Sequence, residues 1–201
     1  MYRVLTADDE MPALRYTRNI IQQFSPRFQI VEAVVSGEAA LKVLQTQVID
    51  LLITDISMRG MSGIELAQSA KKLQPELHIV IISGYGEFEY AQGAIEAGVD
   101  EYVLKPVSIT KMTSILQSIQ EKLDNEYLQQ AASLLSAIAC AQPYNKLAAD
   151  RLFAHRDWYF AYVLLGNLNM RLPKKLGATR LLTPPQDHFL ILSGRDEEER
   201  I

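Results

Sequence analysis

A single cysteine, Cys140, leaves no partner for an internal disulfide, so the fold has to be held by a packed core rather than by covalent ties. That usage fits a reducing cytoplasm, and Cys140 itself reads as a small buried hydrophobe. No run reaches the roughly 18 apolar residues that a membrane span requires. The opening MYRVLTADDE meets acidic residues too early for an export signal, and a cytoplasmic protein with no membrane partner is the expectation. Positive charge is in slight deficit: 20 Lys and Arg against 24 Asp and Glu leave a net charge of -4. Such a field does not hold a chain on DNA or an anionic membrane, so any nucleic-acid contact has to be local or made elsewhere. The sequence also has no low-complexity tract and no internal repeat beyond a βα alternation.

What is present is the balance of a folded protein, with 48% hydrophobic and 22% charged residues. The length suffices for one α/β domain and a smaller attached unit. Residues 3–7, RVLTA, form a short apolar run that ends at Asp8 and Asp9 and is followed by a helical pattern with Leu14, Ile20, Ile21 and Phe24 on its apolar face. The alternation repeats. FQIVEAVV (28–35) precedes a helix from Ser36 through Leu41 and Leu44, and DLLIT (50–54) ends at Asp55. After Gly63, the positions Ile64, Leu66, Ala67, Ala70 and Leu73 fit a helix, and HIVIIS (78–83) is too short and too β-rich for one. A helix over roughly 87–97 is predicted to show Phe88, Ala91 and Ile95 on one face and to stop at a left-handed Gly98, before a fifth strand EYVL (101–104).

Five strands alternating with helices predict a parallel sheet covered on both faces. The runs VLTA, LLIT and IVII are nearly continuous apolar, as doubly buried strands should be. The expected fold is α/β: a flavodoxin-like, doubly wound five-stranded parallel sheet of order 2-1-3-4-5, followed by a long helix and a small α+β region. In the long helix, Ile109, Met112, Leu116, Ile119 and Leu123 repeat at spacings of three and four. Its first turns should pack on the sheet. The continuation through 108–142 reads as a linker or dimerisation helix. Residues 143–201 read as strand-rich, with candidate strands in DWYFAYVLLGNL, RLLTPP and HFLILSG and a turn at Pro185, Gln186 and Asp187. The basic cluster Arg171, Lys174, Lys175 and Arg180 reads as a solvated loop, and His155 and His188 lack metal-ligand spacing.

In a doubly wound sheet, ligands gather at the carboxyl ends of strands where strand order reverses, here between the first and third. That rule brings Asp8 and Asp9 beside Asp55. Such carboxylates repel one another unless a cation joins them, and hard oxygen ligands suit Mg²⁺. Lys105 directly follows the fifth strand, where it can stabilise a phosphoryl group on Asp55, and the Ser83 hydroxyl at the end of the fourth can hydrogen-bond such a group. Each feature alone has a plainer reading. Asp-Asp after a strand is usually turn or cap chemistry, Lys-Pro a loop, and a strand-end serine a local cap. Their convergence at the ends of four strands favours a site.

TADDE (6–10), LLITDISMRGMSGIEL (51–66) and VIISGYGEFEYAQGAIEAGVDEYVLKPV (80–107) resemble the receiver domain of bacterial two-component response regulators over about residues 1–122. The resemblance implies that Asp55 is the phosphoacceptor for a partner histidine kinase, that Asp9 is a direct and Asp8 an indirect Mg²⁺ ligand, and that the Ser57 backbone carbonyl completes the set. It implies that Ser83 and Tyr102 form a switch pair, that Lys105 contacts the phosphoryl group, and that the bond to Pro106 is cis. It also implies a regulatory protein, not an enzyme, that forms a homodimer on phosphorylation.

One departure stands out. The family pattern after the acceptor reads Met-Pro, whereas Met58 is followed by Arg59, which loosens the loop without removing a ligand. The wording SGYGEFEYAQGAI and DEYVLKPV is most similar to regulators with a C-terminal AraC-type helix-turn-helix output. No helix-turn-helix pattern occurs in 143–201, so DNA would be contacted only through a domain absent from this chain. Region 143–201 is expected to be an unclassified connector, or a truncated or degenerate middle domain with a fainter likeness to diguanylate-cyclase-like scaffolds, lacking their acidic signature. Two other readings remain: an Mg²⁺-dependent aspartate-nucleophile phosphatase or phosphotransferase, whose nucleophile would follow the first strand, and a receiver used only as a binding module.

Overall fold

The computed structural model describes residues 1–84, 88–139 and 143, and the segments 157–164, 175–176, 179–182 and 188–195. The chain divides into two compact units, Met1–Leu123 and Asp124–Ile201.

The first unit alternates β1 (Tyr2–Ala7), α1 (Met11–Phe24), β2 (Phe28–Val34), α2 (Gly37–Thr46), β3 (Leu51–Asp55), α3 (Gly63–Leu73), β4 (His78–Ser83), α4 (Phe88–Glu96), β5 (Glu101–Leu104) and the start of α5 (Ile109–Ala139). The strands form one sheet of order β2-β1-β3-β4-β5, and all four pairings are parallel. This is the flavodoxin-like topology expected from the alternation. Right-handed crossovers leave helices on both faces, and two cores result. On one face Leu5, Leu52, Ile79 and Ile81 meet Leu44, Leu66, Ala70 and Ala94 from α2, α3 and α4. On the other, Val4, Ile53, Val80 and Val103 meet Ile20 and Ile21 of α1 and Met112, Leu116, Ile119 and Leu123 of α5. Alternate strand residues serve opposite cores, which is why the central strands β3 and β4 hold unbroken apolar runs at 51–53 and 79–82.

Local chemistry sets the helix ends. Ser36 caps α2 by accepting the Ala39 N–H at 3.2 Å. Ser62 and Glu65 form a reciprocal capping box at α3: the Ser62 hydroxyl accepts the Glu65 N–H, and Glu65 accepts the Ser62 N–H at 2.9 Å. At the end of α4, Gly98 has φ +70, the left-handed stop expected there, and the Val99 N–H returns to the Ala94 carbonyl.

The apolar face of α4 differs from the expectation. Ile95 is 77% exposed, and the buried positions are Ala94 and Ala97. A Cβ on Gly93 would come within 3.1 Å of the Ile64 side chain, so α4 lies close to α3 through small residues, and Tyr90 and Ile95 are exposed. Phe24 and Leu73, both expected on buried faces, are also largely exposed at the last turns of α1 and α3, where a helix has run past the edge of the core. Ile109 is exposed too, so the packed stripe of α5 starts one turn later, at Met112.

In the second unit, β6 (Asp157–Leu164), β7 (Lys175–Leu176), β8 (Thr179–Leu182) and β9 (His188–Arg195) form an antiparallel sheet of order β6-β9-β8-β7. The strands β6 and β9 pair along eight residues, from Asp157 opposite Arg195 to Leu164 opposite His188. The strands β8 and β9 are the antiparallel pair that the sequence pattern predicts. Cys140, His155, Arg171, Lys174 and the turn at Pro185, Gln186 and Asp187 lie outside the described residues.

Candidate functional site

The register of the sheet assembles the site. Ala7 is opposite Thr54 in the β1–β3 pairing, so the next residues, Asp8 and Asp55, stand abreast where the two strands end. Ser83 is opposite Leu104 in the β4–β5 pairing, which delivers Lys105 to the same edge. Gly63, the first residue of α3, lies so close to this edge that a Cβ there would come within 2.2 Å of the Asp55 carbonyl oxygen. Only glycine allows that approach.

Asp8 and Asp55 are both buried, and the half-buried Lys105 ammonium bridges them, 2.6 Å from Asp55 Oδ1 and 3.2 Å from Asp8 Oδ2. The other Asp8 oxygen accepts the Glu10 N–H at 2.8 Å, and Asp55 Oδ2 accepts the Ser57 N–H at 2.7 Å. Two carboxylates therefore share one ammonium. Burial pushes the Asp8 carboxyl above its usual range, and the Asp55 charge adds to this against the Glu10 N–H and Lys105. Burial works against the Lys105 ammonium, but Asp55 and Asp8 outweigh it and raise its pKa.

The remaining sequence candidates are arranged around this pair. Asp9 is half-exposed and makes no ion pair with Lys105. Among the described residues no group of three or more His, Cys, Asp or Glu is close enough to hold a metal ion as it stands. Ser57 is exposed on the loop after Asp55. Ser83 is fully buried at the end of β4, and its carbonyl accepts the Lys105 N–H at 2.7 Å. Tyr102 is half-buried, opposite Ile81 in β5, and packs against the core on the α2–α3–α4 face. Strand alternation puts Ser83 on that face as well, two residues after Ile81. The Lys105–Pro106 bond is cis, and Arg59 is exposed in the loop before α3.

Two arrangements had no sequence signal that singled them out. The Tyr16 hydroxyl of α1 donates to the Val107 carbonyl at 2.7 Å, a contact across 91 residues. At the opposite end of the sheet, Asp100 faces His78 Nδ1 at 3.0 Å and Lys122 Nζ at 2.8 Å, and accepts the Ile79 N–H at 3.0 Å. Burial opposes ionisation of Asp100, but these donors outweigh it and hold its carboxyl far below the usual range. A polar residue opening the apolar run HIVIIS was the one hint, and it does not name its partner.

Comparison with known proteins agrees with this geometry. The response regulator receiver domain family matches residues 4–117. The uncharacterized transcriptional regulatory protein YesN of Bacillus subtilis is 29% identical over 194 residues, which covers 96% of this chain and 49% of that protein. The transcriptional regulatory protein HptR of Staphylococcus aureus is 29% identical over 156 residues, 78% of this chain and 61% of that one. The chain thus spans about half to three-fifths of the length of these relatives. Among solved structures, the receiver domain of AraT, a response regulator from Geobacillus stearothermophilus, matches with a TM-score of 0.57 at 35% identity, over 62% of this chain and 97% of that one. With the family match covering more than half of its residues and the sheet order and acidic crevice in place, this chain belongs to the response regulator receiver domain family.

Proposed function

We propose that this receiver is the phosphorylation switch of a transcriptional regulator, with Asp55 accepting a phosphoryl group from a partner histidine kinase. The observation that carries the reading is the Lys105 ammonium held between Asp55 and Asp8 at the strand ends. An Asp55 carboxylate oxygen forms a bond to phosphorus as the phosphorus–nitrogen bond of the donor phosphohistidine breaks, and the electron pair stays on the imidazole nitrogen. Hydrolysis later returns the free carboxylate and inorganic phosphate. Positioning and charge do most of the work in such a transfer. Lys105 meets the charge of the phosphoryl oxygens, and Ser83 donates its hydroxyl to one of them.

The donor set suits Mg²⁺. Asp8 and Asp55 carry two negative charges against one from Lys105, and burial, with a smaller part from the Asp55 charge, raises the Asp8 pKa. Asp8, Asp9, Asp55 and the Ser57 carbonyl are the hard oxygens that would hold the ion. When bound, it supplies charge neutralisation for the transferred group.

Phosphorylation then draws Ser83 toward the new oxygens, Tyr102 follows on the same face of the sheet, and the α4–β5–α5 surface changes its partner preference, giving a homodimer. The relatives named as transcriptional regulators support an output on DNA through a domain outside these residues. Intact mass after incubation with a small phosphodonor and Mg²⁺ tests the reading. The wild type should gain a labile phosphate and Asp55→Asn none; a gain that survives the substitution, or is missing from the wild type, overturns it. Size-exclusion chromatography of the phosphorylated protein should show a dimer, and an elution volume indifferent to phosphate removes that part.

A further inference from the structure

The segment from Lys105 to Ser108 joins β5 to α5 and has to keep a flexible lysine side chain over Asp55. Its backbone is held from two other elements. On the near side of Pro106, the Lys105 N–H donates to the Ser83 carbonyl of β4 at 2.7 Å. Pro106 has no N–H to contribute and is itself exposed. On the far side, Val107 buries its side chain against the α1–α5 core, and its carbonyl accepts the Tyr16 hydroxyl of α1 at 2.7 Å. Ser108 then caps α5 by accepting the Lys111 N–H at 3.2 Å.

Tyr16 is 43% exposed and lies outside the α1 stripe of Leu14, Thr17, Ile20 and Ile21 that faces the core. Its ring is not part of the α1–α5 core, whereas its hydroxyl has a defined partner, next to the proline that follows the lysine. We infer that Tyr16 is a positioning residue for Lys105: its hydroxyl fixes Val107, and through Val107 the strand end from which the ammonium reaches Asp55. This rests on the phosphoacceptor reading above and deepens it. Helix α1 then has two faces, one that builds the core and one whose hydroxyl supports the chemistry at the end of β5.

The effect should be modest and specific, because one neutral hydrogen bond to a part-buried carbonyl is lost. Tyr16→Phe should lower the maximal rate of phosphorylation by a small donor by about three- to tenfold. The donor concentration at half-maximal rate and the urea midpoint should stay close to wild type. A purely structural role would move the midpoint first.

A double-mutant cycle with Lys105→Ala decides the matter. If Tyr16 acts through Lys105, Tyr16→Phe adds no further loss once the ammonium is gone. Equal fold losses in both backgrounds, or a Tyr16→Phe single variant at the wild-type rate, overturn the inference while leaving the phosphoacceptor reading intact. A wild type that takes no labile phosphate overturns that reading and the inference with it.

Discussion

Carboxylates stand at both ends of the five-stranded sheet, buried at the carboxyl ends and part-buried at the amino ends, and they are built on opposite terms. At the carboxyl ends, Asp8 and Asp55 share the single ammonium of Lys105. At the amino ends, Asp100 alone has His78, Lys122 and the Ile79 N–H around it. The pKa directions differ: burial raises Asp8, whereas the donors around Asp100 outweigh burial and lower it. Asp50, at the same end as Asp100, is raised like Asp8: burial outweighs the Arg3 N–H that it accepts at 2.5 Å. A carboxylate with a full set of donors stabilises the fold and has little left to bind. Two carboxylates short of positive charge cost stability and keep affinity for a cation. The Asp8–Asp55 pair and Asp100 take these two roles at opposite ends of one sheet.

The largest test of this contrast removes the satisfied carboxylate. Asp100→Ala leaves His78, the Lys122 ammonium and the Ile79 N–H without their acceptor, and should cost about 2–4 kcal/mol in urea unfolding. The folded fraction should still accept phosphate at the wild-type rate, because the change lies at the far end of the sheet. A cost below about 0.5 kcal/mol would place this network with ordinary surface ion pairs and break the comparison.

The opposite sign is expected at the crevice. Asp8→Asn removes one of two crowded carboxylates and should raise stability near neutral pH by about 1 kcal/mol, while slowing Mg²⁺-dependent phosphorylation. Acid sharpens the contrast. Because the folded pKa of Asp100 is lowered, its contribution is present above the unfolded carboxylate value and fades as pH falls through the folded one. The folded pKa of Asp8 is raised, so this group favours the fold while protonated and that contribution fades as pH rises through the folded value. On acidification, the stability gap between Asp8→Asn and wild type should therefore close first, and the gap for Asp100→Asn only at lower pH. Unfolding curves of the three proteins across an acid series measure this directly, and gaps closing in the reverse order would contradict the assignment.

The five strands and the gathering of Asp8, Asp55 and Lys105 at their carboxyl ends were legible because both follow from one-dimensional rules. Doubly buried strands leave unbroken apolar runs such as LLIT and IVII, and a parallel sheet puts the residues after those runs at one edge. Asp8, Asp55 and Lys105 could be brought together from their positions alone. Ile95 could not be placed correctly, because its exposure depends on the close approach of α3 at Gly93. The Tyr16–Val107 and His78–Asp100–Lys122 contacts were illegible for a related reason. Each joins polar side chains from distant elements, and nothing in either local pattern names the partner. The strand β7 has two residues, too few for any alternation to show.

The smallest effect is a control inside the crevice end itself. Glu65 is exposed, and its carboxyl is held below the usual range by the Ser62 N–H and hydroxyl, so this end of the sheet also has a satisfied carboxylate. Ser62→Ala removes the cap one residue before Gly63, whose N–H donates to the Ile56 carbonyl at 2.9 Å. The loss should be about 0.5–1 kcal/mol, the usual cost of a serine cap on a helix. Urea midpoints read that cost, and phosphorylation rates should stay at the wild-type value, because the Gly63 bond and its approach to Asp55 are backbone features that remain. A rate that fell with the cap would mean that the first turn of α3 is part of the site. The division would then lie not between satisfied and unsatisfied carboxylates but between the two ends of the sheet as wholes.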